Sequence, residues 1–140
     1  MERYEIYTSG ATRNVSKDYS LLWRQTAKEY LEEKIDTKYD VNVFVPEMYF
    51  NYTDNLPMTD KQCNRLFMHR VNGSALMLVN LNHTINSVGT GKELQKAWDL
   101  AMAIIGFGNK EVYPWFPDYC DIVFPDETAA LHYIANAYLN

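Results

Sequence analysis

The apolar residues of this chain change period again and again, and that alternation restricts the fold more than any other feature of its 140 residues. Short β-branched and aromatic runs, which suit strands, alternate with stripes at helical spacing. Tyr4 to Thr8 predicts a strand ending at Ser9-Gly10, followed by a helix from about Lys17 to Lys34 with Tyr19, Leu22, Trp23, Ala27, Tyr30 and Leu31 on one buried face. Val41 to Val45, stopped by Pro46, predicts a second strand. Thr59-Asp60-Lys61-Gln62 has the form of a capping box and predicts a helix from Asp60 to about Val71, with a third strand over Ala75 to Val79. The stripe Leu94, Ala97, Trp98, Ala101, Ile104 and Ile105 predicts a third helix, ended by Gly106 and Gly108. Glu111 to Tyr113 is the fourth strand on this reading and Tyr119 to Phe124 adds a short fifth. A last helix opens at Pro125 or Asp126 and buries Leu131, Ile134, Ala135, Tyr138 and Leu139.

Strands and helices in this alternation imply an α/β fold, a flavodoxin-like (Rossmann-like) parallel sheet of about five strands with helices on both faces. Residues 1–140 are expected to form a single domain, since a chain with 47% hydrophobic residues can bury one substantial core. In such a sheet ligands lie at the carboxyl ends of the strands, where successive loops leave in opposite directions. The loop Ser9 to Asn14 should therefore face Asn80 to Glu93.

Charge and composition narrow the partners. Thirteen basic against 18 acidic residues give a net charge of -5, which argues against polymeric nucleic acid as the ligand. A single nucleotide or nucleoside stays compatible, because a few backbone amides and one Arg can hold one phosphate. No apolar run approaches the roughly 20 residues that cross a bilayer, and Met1-Glu2-Arg3-Tyr4 lacks the apolar core of a signal peptide, so no membrane partner and a cytoplasmic location are expected. Cys63 and Cys120 have no metal-ligand spacing, so a disulfide, a metal site and a cofactor all lack support.

Two loops could carry chemistry. Ser87-Val88-Gly89-Thr90-Gly91-Lys92-Glu93-Leu94 joins a strand end to a helix start, where Gly89 and Gly91 let backbone approach a ligand and the first helix amides point at it. Thr90 to Glu93 is also a capping box, in which Glu93 would only bond back to the N-cap amide. Placed in the first turn, Glu93 should be held ionised by the helix dipole, as a nucleophile at a sugar anomeric carbon requires. In Tyr7-Thr8-Ser9-Gly10-Ala11-Thr12-Arg13-Asn14, the residues Ser9, Gly10, Thr12, Arg13 and Asn14 could ring a phosphate or a ribose hydroxyl, with Arg13 as a donor fork. An ordinary polar strand-to-helix loop has the same composition.

Together these two loops resemble those of the 2′-deoxynucleoside 5′-phosphate N-hydrolases and the nucleoside 2-deoxyribosyltransferases. The resemblance follows the order of elements through most of the chain, while its specific motifs cover the two short loops. It implies a flavodoxin-like sheet, Glu93 as the nucleophile that attacks C1′ to form a deoxyribosyl-enzyme, and Tyr7 beside it. Transferases of this kind carry an aspartate six residues before the glutamate, whereas the N-hydrolases place a phosphate-contacting serine there. Ser87 thus tilts the resemblance toward a nucleotide. These families also carry an aspartate in the second helix that handles the leaving-base proton, and Asn64 stands nearest that place. An amide is no general acid, so Asp60, Asp54 or Glu47 would have to serve, and Glu47, just after the second strand, is the best placed.

The remaining candidates are weaker. His69 and His132 suit surface or packing roles, and His83 lies in the site loop. Tyr49, Phe50 and Tyr52 could stack on a base, and Trp115, Phe116 and Tyr119 could close the interface of a homodimer or larger homo-oligomer. The function expected is hydrolysis or transfer at the N-glycosidic bond of a 2′-deoxynucleoside or its 5′-monophosphate. The alternative is a nucleotide-binding module on the same fold without turnover. A third reading is a phosphoribohydrolase of the cytokinin-activating type, but Ser87-Val88 stand where its paired glycines would be.

Overall fold

The computed structural model of the chain describes residues 1–34, 37–48 and 59–140. Its elements in order are β1 (Glu2–Gly10), α1 (Lys17–Glu32), β2 (Tyr39–Phe44), α2 (Asp60–Asn72), β3 (Leu76–Asn80), α3 (Val88–Asp99), β4 (Ala103–Phe107), a 3-10 turn (Phe116–Tyr119), β5 (Ile122–Phe124) and α4 (Glu127–Ala137). The strands form one five-stranded sheet in the order β2-β1-β3-β4-β5, and every pairing is parallel. This is the flavodoxin-like order, with its switch point between β1 and β3.

The period of two along each strand divides the core. Ile6, Leu76, Leu78 and Ile105 point to one face and pack with Trp23, Ala27 and Leu31 of α1 and Leu131, Ile134 and Ala135 of α4. Tyr7, Met77, Val79 and Ile104 point to the other and pack with Val71 of α2 and Leu94 and Ala97 of α3. Tyr7 and Ser9 share parity, so both project toward the α3 side. Leu22, expected on the buried face of α1, is 66% exposed, and the buried positions there are Ser20, Trp23, Arg24, Ala27 and Leu31. Trp98, expected inside, is likewise largely exposed.

The main departure from the sequence reading lies after α3. The helix stops at Asp99 and residues 103–107 form β4, so Ile104 and Ile105 are strand residues rather than the end of a helix. Ala101 takes φ 54°, and the amides of Ala101 and Met102 donate to the carbonyls of Trp98 and Ala97, at 3.0 Å in each case. This is a Schellman stop made without glycine. Glu111 to Tyr113, expected as a strand, is a loop in which Glu111 has φ 53°. The fifth strand is confined to Ile122–Phe124, and Asp126 caps α4 by accepting from the Ala129 amide at 2.9 Å. The box at Thr59 and Gln62 is formed in both directions. Among the described residues, no helix is long and apolar enough to cross a membrane.

Candidate functional site

At the switch point a cavity of about 520 Å³ opens between the loops after β1 and β3 and the side of α2. Gly10, Ala11, Thr12, Arg13 and Asn14 line it from the first loop, and Asn86, Ser87, Val88, Gly89 and Thr90 from the second. Arg24 and Glu47 reach it from α1 and the segment after β2, Cys63, Asn64, Phe67 and Met68 from α2, and Lys92 and Glu93 from α3. Gly10 is required by close packing: a Cβ there would stand 2.9 Å from the Trp23 ring and 3.3 Å from Asn80. Gly89 differs, since nothing lies within 4 Å of its Cβ position, and the backbone there is bare toward the cavity.

Glu93 is the sixth residue of α3, because the helix begins at Val88 with Ser87 as N-cap. It therefore lies in the second turn rather than the first, and the Thr90–Glu93 capping box does not form. Its carboxylate turns to β1 instead. The Tyr7 hydroxyl donates to Oε2, and the Ser9 hydroxyl donates to Oε1 at 2.7 Å. Both donors come from the strand face that the period of two aims at α3. Burial raises the Glu93 pKa above the ordinary carboxylate value, against the hydrogen bonds from Tyr7 and Ser9 and the charge of Arg24, which lower it, while Glu47 adds to the rise. Against the expectation from the helix dipole, desolvation is the largest influence on this carboxyl and acts toward a higher pKa. Burial and the adjacent Glu93 carboxylate push the Tyr7 phenol well above its ordinary value, so it stays a donor.

A second polar cluster adjoins the first. Arg24, 1% exposed, donates through Nη1 to the Ser20 carbonyl (3.1 Å), the Ser20 hydroxyl (2.6 Å) and Glu47 Oε2 (3.1 Å), and through Nη2 to the Gly10 carbonyl (3.1 Å). Glu47 is buried and its pKa is raised by desolvation despite the guanidinium beside it. Sequence reading missed Arg24, because a charged residue among α1 apolar positions reads as solvent-facing; the only signal was its place next to Trp23 and four residues after Ser20.

Of the expected ligand contacts, Gly10, Thr12, Arg13, Asn14, Ser87, Gly89 and Thr90 line the cavity. Ser9 is fully buried and holds Glu93 rather than facing the cavity, and Gly91 packs toward Phe116, 3.3 Å from its Cβ position. The Ser87 hydroxyl is bonded to that of Thr90 at 2.6 Å. The amides of Gly89 and Thr90 have no acceptor among the described residues, as expected at a helix start. His83 sits at φ 61° and meets Glu111 at 2.9 Å outside the cavity wall. His69 lies in a separate groove between α2 and α3, and His132 stacks on Tyr30. Phe116 is buried, Trp115 is 70% exposed and Tyr119 bonds to Gln95. Tyr49, Phe50, Tyr52 and Asp54 lie outside the described residues. Among the described residues no group of His, Cys, Asp and Glu is arranged to hold a metal.

No protein-family model matches the sequence, and no curated protein matches it either. Solved structures do. A 2-deoxyribosyltransferase from Leishmania mexicana superposes with a TM-score of 0.72 at 16% identity, over 97% of this chain and 99% of the other. A conserved protein from Enterococcus faecalis V583 gives 0.70 at 11% identity, over 93% and 96%. A 2-deoxyribosyltransferase from Bacillus psychrosaccharolyticus gives 0.69 at 14% identity, over 92% and 91%. The chain has the nucleoside 2-deoxyribosyltransferase-like fold.

Proposed function

We propose that this protein cleaves the N-glycosidic bond of a 2′-deoxynucleoside or its 5′-monophosphate, transferring the sugar to water or to a second base, with Glu93 as nucleophile. The observation that carries the reading is the Glu93 carboxylate on the cavity wall, fixed by two hydroxyl donors from β1 and not used to cap its helix. In the step proposed, an oxygen of Glu93 forms a bond to C1′ as the C1′–N bond breaks, and the leaving base takes up a proton. Water or an acceptor base then attacks C1′ and releases the carboxylate. Tyr7 and Ser9 hold the nucleophile in one orientation, which is how a fixed site lowers the entropic part of a barrier.

The phosphate end of the substrate is assigned to the start of α3. The amides of Gly89 and Thr90, which have no acceptor among the described residues, and the side chains of Ser87 and Arg13 line the cavity and can supply donors to an anion. The base would lie toward Asn64, Phe67 and Met68 of α2. Glu47 is the second carboxyl on the described wall, apart from the nucleophile, and burial raises its pKa, so the proton for the leaving base is assigned to it. Both neighbours named as 2-deoxyribosyltransferases support the substrate class through their shared fold.

A panel of deoxynucleosides, their 5′-monophosphates and the matching ribonucleotides, with and without free acceptor bases, tests this by chromatography of released base. Base release from a deoxy substrate is expected. Calorimetric binding with no release from any member would leave a binding module in its place. Equal affinity for thymidine and its monophosphate would sink the assigned phosphate end.

A further inference from the structure

Arg24 is the only cation among the buried described residues, and its position calls for a reason. A guanidinium on the inner face of α1 must be desolvated, and a well-packed apolar pair in place of a buried ion pair is commonly as stable or more so. Here the cation sits on the wall that also carries Glu93 and Glu47. It binds the carbonyl of Gly10, and the residue before Gly10 is Ser9, whose hydroxyl holds Glu93 Oε1. On its other side Nη1 lies 3.1 Å from Glu47. One buried cation thus pairs with one carboxylate and shares the cavity wall with a second, in a place where charges are screened least.

We propose that Arg24 and Glu47 are opposed positioning residues that set how readily Glu93 gives up its proton, the guanidinium favouring the carboxylate and Glu47 disfavouring it. This rests on the reading of Glu93 as nucleophile for its catalytic meaning, although the electrostatic relation itself does not. Among the described residues, few titratable or charged groups bond to Glu93 or share the cavity with it. Tyr7 comes from β1, Arg13 from the loop after it, Arg24 from α1, Glu47 from the segment after β2, Cys63 from α2 and Lys92 from α3 itself. Arg13 and Lys92 are exposed, and the other α2 residues on the wall, Asn64, Phe67 and Met68, are neutral. Arg24 acts on Glu93 more strongly than Glu47 does, and in the opposite direction.

The test follows the Glu93 carboxyl by carbon-13 NMR titration of the ligand-free protein in wild type, Arg24→Met, Arg24→Lys and Glu47→Gln, with circular dichroism and thermal midpoints as the check on folding. Arg24→Met should move the Glu93 midpoint to higher pH. Loss of the cation also raises the Glu47 pKa further, which weakens its repulsion, but the larger influence is the one lost. Glu47→Gln should move the midpoint to lower pH, and Arg24→Lys should lie nearer to wild type than Arg24→Met. Shifts of the same sign in Arg24→Met and Glu47→Gln, or no shift in folded protein, overturn the proposal. Should Arg24→Met not fold, the Glu47→Gln shift and the retention of the midpoint in Arg24→Lys still decide it. Where wild type releases base, the acid limb of kcat/KM should move to higher pH in Arg24→Met; Glu47→Gln, which also removes the assigned proton donor, is read by the titration alone. Because the titration needs no turnover, a wild type that releases no base counts against the proposed reaction alone. An active wild type whose Glu93 midpoint ignores both substitutions counts against the pair alone.

Discussion

Glu93 and Glu47 stand on one cavity wall, and burial raises the pKa of both, yet they are held in different ways. Glu93 accepts from two neutral hydroxyls, Tyr7 and Ser9, while Glu47 accepts from a guanidinium. Neutral donors fix a carboxylate without cancelling its charge, and lone pairs remain for reaction. The Arg24 guanidinium offsets the Glu47 charge through a bond to Oε2, which lowers the carboxylate's nucleophilic value, while Oε1 has no hydrogen-bond partner among the described residues. The contrast teaches that burial alone does not mark a nucleophile; the chemistry of the donors does. It also explains why two acids on one wall need not share one proton, since a cation lies beside one of them.

The largest expected effect breaks the comparison outright. Under the proposed reaction Glu93→Ala removes the covalent route and should lower base release by several orders of magnitude, whereas loss of a single binding contact would cost far less. The protein should still fold, since Glu93 makes no cap and its removal leaves two hydroxyls that water can satisfy. Measuring base release beside the thermal midpoint decides it: unchanged release with a lowered midpoint would make Glu93 a structural residue.

Tyr7→Phe sharpens the same contrast with a smaller effect. It leaves Oε2 of Glu93 without its donor in a buried site, which raises the Glu93 pKa further, the direction opposite to that of the hydrogen bond it lost. Catalysis that needs the carboxylate should then fall most at low pH, by roughly ten- to a hundredfold, the range for a hydrogen bond to a charged group. The deficit should shrink as the pH rises past the shifted limb. A loss of equal size at every pH would mean that Tyr7 acts on the substrate and not through Glu93.

How far the site could be read beforehand follows from which forces are local. The strand-helix alternation, the box at Thr59 and the cap at Asp126 are written in neighbouring residues, and packing rules narrow the sheet orders they allow to a few that include the one observed. The boundary between α3 and β4 is not, because Ala101 makes a left-handed stop without the glycine that usually announces one. Ile104 and Ile105 continue the apolar spacing of the helix and so fit both periods. At the site, Glu93 and Tyr7 were legible as a motif. The roles of Ser9 and Arg24 were not, because they depend on which strand face meets α3 and on a contact between α1 and the end of β1. The helix dipole, a local feature, does not set the direction of the Glu93 pKa shift, because burial by the whole fold is the larger influence.

A third carboxyl completes the series. Glu127, the first residue of α4, has a buried Oε2 with no hydrogen-bond partner, and burial alone pushes its pKa up from 4.5 to about 7. With neither hydroxyls nor a guanidinium to hold the anion, nothing offsets the desolvation, and the effect appears in stability rather than activity. The sign follows from linkage: a carboxyl whose folded pKa lies above its unfolded value favours folding in its protonated form. Its contribution is fully present below about pH 4.5 and is lost as the pH rises toward and through about 7. The group is only partly buried, so this is expected to be the smallest effect of the three, a slope in stability across that window. Glu127→Gln, which keeps the shape and cannot ionise, should flatten the slope in chemical denaturation followed from pH 4.5 to 7.5. The same substitution should leave base release untouched. If the slope persists in the variant, another group carries it, and the rule that unpartnered burial sets this acid apart from Glu93 and Glu47 fails.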